Sequence, residues 1–460
     1  MHSASLVTAC WVSADVCAGL CLNLIGGNIR KCRARCTSFL LWLGASANKV
    51  NLDRYVPESY FSKMEQIFEM KEKSLKDSCE WSFPVPIIYG PGRLKELGRR
   101  AAEMALLNPL IVTDRGSAQL PYISELQQIL AEAGVNSGVF SEISPNPLGA
   151  DVERARQCYR EGGHDSVIAI GGGSGMDGGK ATALTAHNDR TIWEFDFDRE
   201  TPELPSGHTF PPLICIPTTA GTGAETESTA MVTHAERGMK FCVWHPGLKP
   251  SLTLLDPEIT AGLPASLTAW TGIDAMVHAI EAYCVPDFHP MCDGIALEAL
   301  SLIGRYLPTA VAEPANLTAR GGMQVGACLA GVAFLKGLGL VHSISHMVGA
   351  EFDTHHGLTN AIALPAVLRF NAPDIADKVP AMSRALGLDG TDFETFYQAI
   401  CGLLDRLAIP KSLSEIGVPV DAARRLAEKA HLDAATGTNP RPADVESIER
   451  LIIEATTSGR

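Results

Sequence analysis

From Trp81 onward the chain alternates between short continuous apolar runs and longer stretches in which apolar residues recur every three or four positions. "PIIYGPG", "NPLIVTD", "NSGVFSEI", "DSVIAIGGG" and "PPLICIPTTAGTG" have the first texture and predict strands. "GRLKELGRRAAEM", "YISELQQILAEAGV" and "GADVERARQCYREGG" have the second and predict amphipathic helices between them. Strands without an internal polar alternation, separated by helices, imply a mostly parallel sheet covered on both faces. After "LTLLDPEITAGLP" the period changes, and residues 264–460 give one helical pattern after another, with no convincing strand. The expected fold class is therefore α/β followed by all-α, with residues 79–262 forming the sheet domain and 263–460 the helical one. A crevice between two such domains is the default site.

Residues 1–78 do not share this texture. Residues 1–50 carry Ser and Arg and almost no acid, and "MHSASLVTACWVSADV" has no basic start, which argues against a secretory signal. The expectation is an upstream extension, poorly ordered, with the body of the protein starting near Met64 or Met70; an organelle transit peptide also suits the composition. Six of the 13 cysteines fall in the first 80 residues, and the rest are scattered through apolar runs without a CxxC pair, which fits a reducing cytoplasm rather than a disulfide framework. A net charge of −14 speaks against nucleic acid or an anionic membrane as partner. No run of roughly 20 apolar residues stands out, so no membrane span is expected.

The chemistry begins at "IAIGGGSGMDGGKA". It carries G-x-G-x-x-G at Gly173, Gly175 and Gly178 directly after a strand, a pattern whose bare amides at a helix start suit a pyrophosphate; a plain glycine-rich turn is the alternative. As a P-loop it fails, because Ser174 stands where the first glycine belongs and Ala181 where a hydroxyl must meet Mg²⁺. Asp114 ends the strand "IVTD", placed to accept from a ribose diol and to repel a 2′-phosphate, which favours NAD over NADP. It precedes the glycine loop, whereas the usual Rossmann acid follows it. "PTTAGTGAETE" is a second small-residue loop, with hydroxyls at Thr218, Thr219 and Thr222, and it also reads as a simple strand-to-helix turn.

A second constellation lies in the helical half. "GIDAMVHAIEAY" reads as buried helix, yet it puts Asp274 and His278 four apart, on one face. "GLVHSISHMVGAEFDTHHG" adds His342, His346, His355 and His356, four of the chain's 13 histidines. One such histidine is ordinarily a hydrogen-bonded core residue. An acid–imidazole pair beside a histidine cluster is better satisfied by a divalent cation, since each group buried without a partner costs several kcal/mol. Carboxylate and imidazole donors suit Fe²⁺ or Zn²⁺ without separating them.

Residues 82–460 closely resemble the iron-dependent (group III) alcohol dehydrogenases, a family that includes lactaldehyde reductase and 1,3-propanediol dehydrogenase. The matching stretches are "YGPG", "VTD", "PNP", "GGGSGMD", "PTTAGTGAE", "DPE", "GIDAMVHAIEAY", "VHSISHMVGAEFDTHHG" and "TNPR". The resemblance implies a Rossmann-like parallel-sheet domain that binds NAD and a helical domain that binds Fe²⁺, with Zn²⁺ as the other candidate. By position it implies that Asp274, His278, His342 and His356 are metal ligands and that His346 sits beside the substrate, a candidate proton relay. It places Asp114, Asn146, Gly172, Gly173, Ser174, Thr218, Thr219 and Lys240 against the nucleotide. Ala224 replaces the usual serine of its loop, Gly175 stands where many members carry proline, and His355 is often proline elsewhere. The implied activity is hydride transfer between NAD(H) and a small alcohol or aldehyde, in a homodimer or higher homo-oligomer. A hydroxyacid–oxoacid transhydrogenase of the same fold is the alternative, distinguished by a basic pocket for the substrate carboxylate; a non-catalytic metal-stabilised binding protein is the reading from another class.

Overall fold

The structure, a computed structural model, describes residues 85–457. The expected extension at 1–78 lies outside the described residues. Strands β1 (Ile87–Tyr89), β2 (Pro109–Asp114), β3 (Gly138–Ile143), β4 (Ser166–Gly171) and β5 (Leu213–Pro217) appear where the apolar runs predict them. Helices α1 (Leu97–Glu103), α2 (Pro121–Glu132), α3 (Gly149–Glu161) and α4 (Gly173–Ala186) lie between them. A hairpin, β6 (Thr229–His234) and β7 (Met239–Trp244), and a last sheet strand, β8 (Leu252–Leu255), complete this half. The six sheet strands run parallel in the order β1-β8-β5-β4-β2-β3.

Alternate residues of each strand face opposite cores. Ile168 and Ile170 of β4 pack with Leu97 of α1 and with Leu126 and Leu130 of α2. Val167 and Ala169 pack on the other side with Val152 and Tyr159 of α3 and with Met176 and Leu184 of α4. Every one of these side chains is buried, each worth about 1.5–3 kcal/mol for a large apolar group. Strand order reverses between β2 and β4, because β2 hands on to β3 on one side and β4 to β5 on the other. Their carboxyl ends therefore part around a crevice, the place where open α/β sheets bind ligands.

Three glycines set α4 against the sheet. A Cβ on Gly175 would sit 2.7 Å from the Ile170 carbonyl oxygen, on Gly178 2.6 Å from Ile143, and on Gly179 2.4 Å from the Ala169 Cβ. Gly175 and Gly178 of the G-x-G-x-x-G pattern thus serve close helix–strand packing. Gly172, at the α4 N-cap, and Gly173 remain at the open end.

Among the described residues, everything after β8 is helix or loop. The short helix α5 (Pro257–Thr260) leads to α6 (Ala265–Cys284), α7 (Pro290–Ala312), α8 (Leu317–Ala333), α9 (Leu340–Phe352) and α10 (His356–Asn371). Then follow α11 (Val379–Ala385), α12 (Phe393–Arg406), α13 (Ala423–Ala430), α14 (Ala434–Gly437) and α15 (Val445–Thr457). α6 is buried along almost its whole length. One helix, α7, is long and apolar enough to cross a membrane by composition, with a mean hydropathy of 1.3 over its best window, which the sequence reading did not anticipate. It packs along α6 and α8 through Ala299, Leu300, Ile303 and Leu307.

The β6–β7 hairpin is the element the apolar pattern did not predict. Its antiparallel register pairs Thr229 with Trp244 and His234 with Met239 around a turn ending in Gly238 at φ +56°. It packs on α4 and reaches α9, so it links the two halves beside the crevice.

Candidate metal and nucleotide cleft

Two helices and the start of a third bring four donors together. Asp274 and His278 lie on α6 four residues apart, His342 sits at the start of α9, and His356 is the first residue of α10. Asp353, in the left-handed region at φ +52°, ends α9 and turns the chain so that α10 returns beside it. Asp274 Oδ1 is then 3.6 Å from His356 Nε2 and 4.0 Å from Nε2 of both His278 and His342. All four donor atoms lie within 4.8 Å of one another. Asp274, His278 and His342 are buried, and His356 is partly exposed.

Protonation is set by burial and by local acids. Burial pushes His278 down to about 4. Burial, then the Lys240 ammonium, holds His356 well below the usual histidine range. At His342 burial works downward too, but the hydrogen bond and charge of Glu281 outweigh it, and the net shift is upward. His342 Nδ1–H donates to Glu281 Oε2 (2.6 Å), while Ser345 Oγ lies 2.7 Å from Nδ1 of His356. With their Nδ1 atoms so engaged, both rings turn Nε2 toward Asp274. Glu281 also accepts from the backbone amides of Gly339 (3.0 Å) and Val341 (2.8 Å), which pins the start of α9 to α6.

The donor set fits a divalent cation. Metal–ligand distances of about 2.0–2.2 Å place tetrahedral donors about 3.4 Å apart, near the 3.6–4.0 Å separations around Asp274. The protein alone leaves the set poorly satisfied. The Asn360 side-chain amide nitrogen donates to Asp274 Oδ1 (2.7 Å) and lies 3.2 Å from Nε2 of both His342 and His356, so two protons face three acceptors. Asn360 Oδ1 and His278 Nδ1 are buried without a partner.

His346, one turn along α9 from His342, does not join the cluster. Its ring stacks on His356 at 5.4 Å and 13°, and its Nδ1–H donates to Asp433 Oδ2 (2.9 Å). Burial works against ionising Asp433, but His346 and the Ala435 amide hold its carboxyl below the usual range.

The remaining sequence-predicted residues line the same cleft, of about 1340 Å³, as the histidine cluster. Asp114, at the end of β2, accepts from the amide (3.0 Å) and hydroxyl (2.8 Å) of Ser117. Gly172, Gly173 and Ser174 open α4, and the Ser174 hydroxyl donates to the Pro145 carbonyl. Asn146 Nδ2 reaches across to Asp353 Oδ1 (2.5 Å). Thr218 and Thr219 follow β5, where the buried Thr219 hydroxyl has no partner. Lys240 is on β7, its ammonium disfavoured by burial. Lys180, fully buried, donates to the carbonyls of Ala224 (2.6 Å) and Glu227 (3.4 Å), so it is not free to meet a phosphate. That agrees with the failed P-loop.

Glu281, Ser345, Asn360 and Asp433 went unread in the sequence. Glu281 follows Asp274 by seven residues on the same helix face, and Asn360 follows His356 by four. Both spacings were available. Asp433 lies 87 residues from His346, and no local pattern marks it.

A cleft at the switch point of a parallel sheet, lined also by four donors able to hold a cation, is the arrangement of an enzyme. Comparison with known proteins gives the particular family. The model described as "Iron-containing alcohol dehydrogenase" matches residues 84–257, and that of the "Fe-containing alcohol dehydrogenase family, C-terminal" matches 268–456. The NAD-dependent methanol dehydrogenase of Bacillus methanolicus is 35% identical over 381 residues, covering 81% of this chain and 98% of that protein. The 1,3-propanediol dehydrogenase of Klebsiella pneumoniae is 32% identical over 376 residues, 80% of this chain and 96% of that protein. A solved 1,3-propanediol oxidoreductase superposes with a TM-score of 0.78 at 31% identity, over 82% of this chain and all of that one. The chain belongs to the iron-containing alcohol dehydrogenase family and is an oxidoreductase of alcohols and aldehydes.

Proposed function

We propose that this chain interconverts a small alcohol and its aldehyde with NAD(H), using Fe²⁺ held by Asp274, His278, His342 and His356. The observation that carries the reading is the convergence of these four donors in the cleft that Asp114 and the α4 N-terminus also line. Residues 79–262 serve as the dinucleotide-binding half and 263–460 as the metal-binding half. Residues 1–78 lie outside the family match, which begins at residue 84.

When bound, the cation polarises the substrate oxygen as a Lewis acid and the nicotinamide exchanges the hydride. The protein's own groups do the rest. Gly172, Gly173 and Ser174 receive the pyrophosphate at the helix N-terminus, Thr218, Thr219, Asn146 and Lys240 hold the rest of the nucleotide, and Asp114 accepts from the ribose and turns away a 2′-phosphate. His346 takes or returns the hydroxyl proton. A donor set of oxygen and nitrogen without sulfur supports Fe²⁺, with Zn²⁺ as its competitor.

Cleft charge favours alcohols over hydroxy acids. Carboxylates, among them Asp196, Asp198, Asp353 and Asp433, outnumber the four lysines of the lining, Lys95, Lys180, Lys240 and Lys336, of which Lys180 is engaged by carbonyls and Lys336 by Asp293 (2.5 Å). A cytoplasmic homodimer completes the proposal. All seven cysteines among the described residues are free, which supports a reducing compartment, and the edge strand β1 leaves Ile87 and Tyr89 exposed for a second copy.

Dialysis against a chelator is expected to abolish turnover while NADH still binds, and Fe²⁺ to restore it. His278→Ala and His342→Ala should lose metal and activity together, whereas His346→Ala should keep its metal and lose rate. A His346→Ala protein that comes out metal-free would move His346 into the ligand set. Turnover that survives complete metal removal would end the metal-dependent reading.

A further inference from the structure

We propose that Asp433 is the positioning residue of the reaction, fixing the His346 imidazole so that Nε2 is the nitrogen offered to the cleft. The inference rests on the dehydrogenase reading above, and it begins from how the carboxylate is held. Asp433 caps α14, where Oδ1 accepts the Ala435 amide (2.9 Å) and Oδ2 accepts His346 Nδ1–H (2.9 Å). Its two oxygens thus have separate duties, one toward the backbone and one toward the ring. The junction beneath them is tied to α9 itself: the Thr436 hydroxyl donates to the Ala430 carbonyl (2.7 Å) and pairs with the Ser343 hydroxyl at 2.8 Å. That tie holds the backbone carrying the carboxylate beside α9.

An imidazole can be turned over about its Cβ–Cγ bond, exchanging the faces of its two nitrogens. An ionised carboxylate accepts only, so Asp433 selects the orientation and tautomer with a proton on Nδ1. Side-chain exposures of 10% for His346 and 8% for Asp433 leave little water to compete for that bond. Nε2 then carries the free lone pair on the ring that stacks against His356 and lines the cleft. When an alcohol O–H breaks, its electron pair stays on oxygen and the proton forms an N–H bond at Nε2. The reverse reaction returns the same proton. His346 thereby acts on substrate, and Asp433 acts through His346.

The test uses the full chain loaded with Zn²⁺, a diamagnetic probe for NMR, and with Fe²⁺ for kinetics. Long-range ¹⁵N–¹H spectra of the wild type should show His346 as the Nδ1–H tautomer; an Nε2–H tautomer overturns the proposal without any variant. Asp433→Asn, isosteric but able to donate, should shift that tautomer. It should also lower kcat about 10–100-fold, the range seen when the partner of a functional histidine is lost, with KM for NADH and metal content unchanged. Asp433→Glu should recover part of the loss. In a His346→Ala background Asp433→Asn should cost nothing further, because both changes remove one unit. An equal loss in both backgrounds, or no loss in the first, overturns the idea. A wild type that neither oxidises an alcohol with NAD⁺ nor reduces an aldehyde with NADH would sink the dehydrogenase reading instead, and the tautomer would still decide the positioning.

Discussion

Glu281→Gln should weaken metal binding without touching a ligand. The carboxylate accepts three hydrogen bonds, from Gly339 N, Val341 N and His342 Nδ1, at 5% exposure. Glutamine keeps one acceptor oxygen and turns the other position into a donor. If its oxygen stays with Gly339 and His342, its NH₂ meets the Val341 N–H, leaving two donors facing each other and an unmade bond worth about 1–3 kcal/mol. The His342 bond also falls from charge-assisted to neutral, a further loss of about 1 kcal/mol. The metal-free protein should therefore lose about 2–4 kcal/mol of stability. The metal should suffer separately, since a carboxylate behind a ligating histidine raises its basicity and fixes its ring, and losing it costs about 10–100-fold in affinity. Affinity is read by equilibrating the protein against chelator buffers of graded free Fe²⁺ or Zn²⁺ and measuring bound metal, and stability by denaturant melts of the metal-free form. An affinity within twofold of wild type, alongside the expected stability loss, would refute the claim that Glu281 acts on the metal through His342.

Asp114→Gly should raise the kcat/KM for NADPH relative to NADH by about 10-fold or more, since a charged partner is worth about 1–3 kcal/mol; a wild type that already prefers NADPH would contradict the assignment. Burial pushes Glu227 up to about 8 and Glu225 up to about 7 in the folded chain. A raised carboxyl contributes stability that is present below about pH 4.5 and lost as pH climbs toward 8, so Glu227→Gln should gain on the order of 2–4 kcal/mol over wild type at pH 8.5 and little at pH 4.5. Melts at the two pH values check this, and a pH-independent difference would argue against a buried, reluctant acid. Gly179→Ala should cost about 1–3 kcal/mol by driving α4 off the sheet, whereas Gly262→Ala, whose Cβ meets nothing within 4 Å, should stay within about 0.5 kcal/mol; equal melts for the two would remove the packing argument.

Much of this was legible because the signals were local. Apolar runs such as "SVIAIG" belong to strands buried on both faces, and their texture survives any tertiary context. The i, i+4 pair at Asp274 and His278 declares a shared helix face, and His342 with His346 does the same, although only one of that second pair joins the donors. The β6–β7 hairpin was missed because its strands are only partly buried and its turn carries no Asn-Gly signature; "AERG" reads as ordinary loop or helix. Gly175 and Gly178 complete the G-x-G-x-x-G pattern but pack against β4 and Ile143, and the sequence pattern does not say which side of a glycine is crowded. Asp433 was beyond reach, because it meets His346 only through the packing of α13 and α14 against α9.

The glycine-packed α4 also decides how the cleft can yield. With Gly175 and Gly179 close against β4 and Gly178 against the Ile143 side chain, the α4 N-terminus proposed above to receive the pyrophosphate has little room to recoil. Compliance must come from the facing wall, where Asn146 meets Asp353 through one hydrogen bond and Lys429 holds the Gly238 carbonyl (3.1 Å) at the hairpin tip. The molecule is in this sense an anvil and a spring. Amide exchange should be slowest along β4 and α4 and fastest at the hairpin tip and around Asp353. Loading the nucleotide should slow exchange on that compliant side far more than on the cradle.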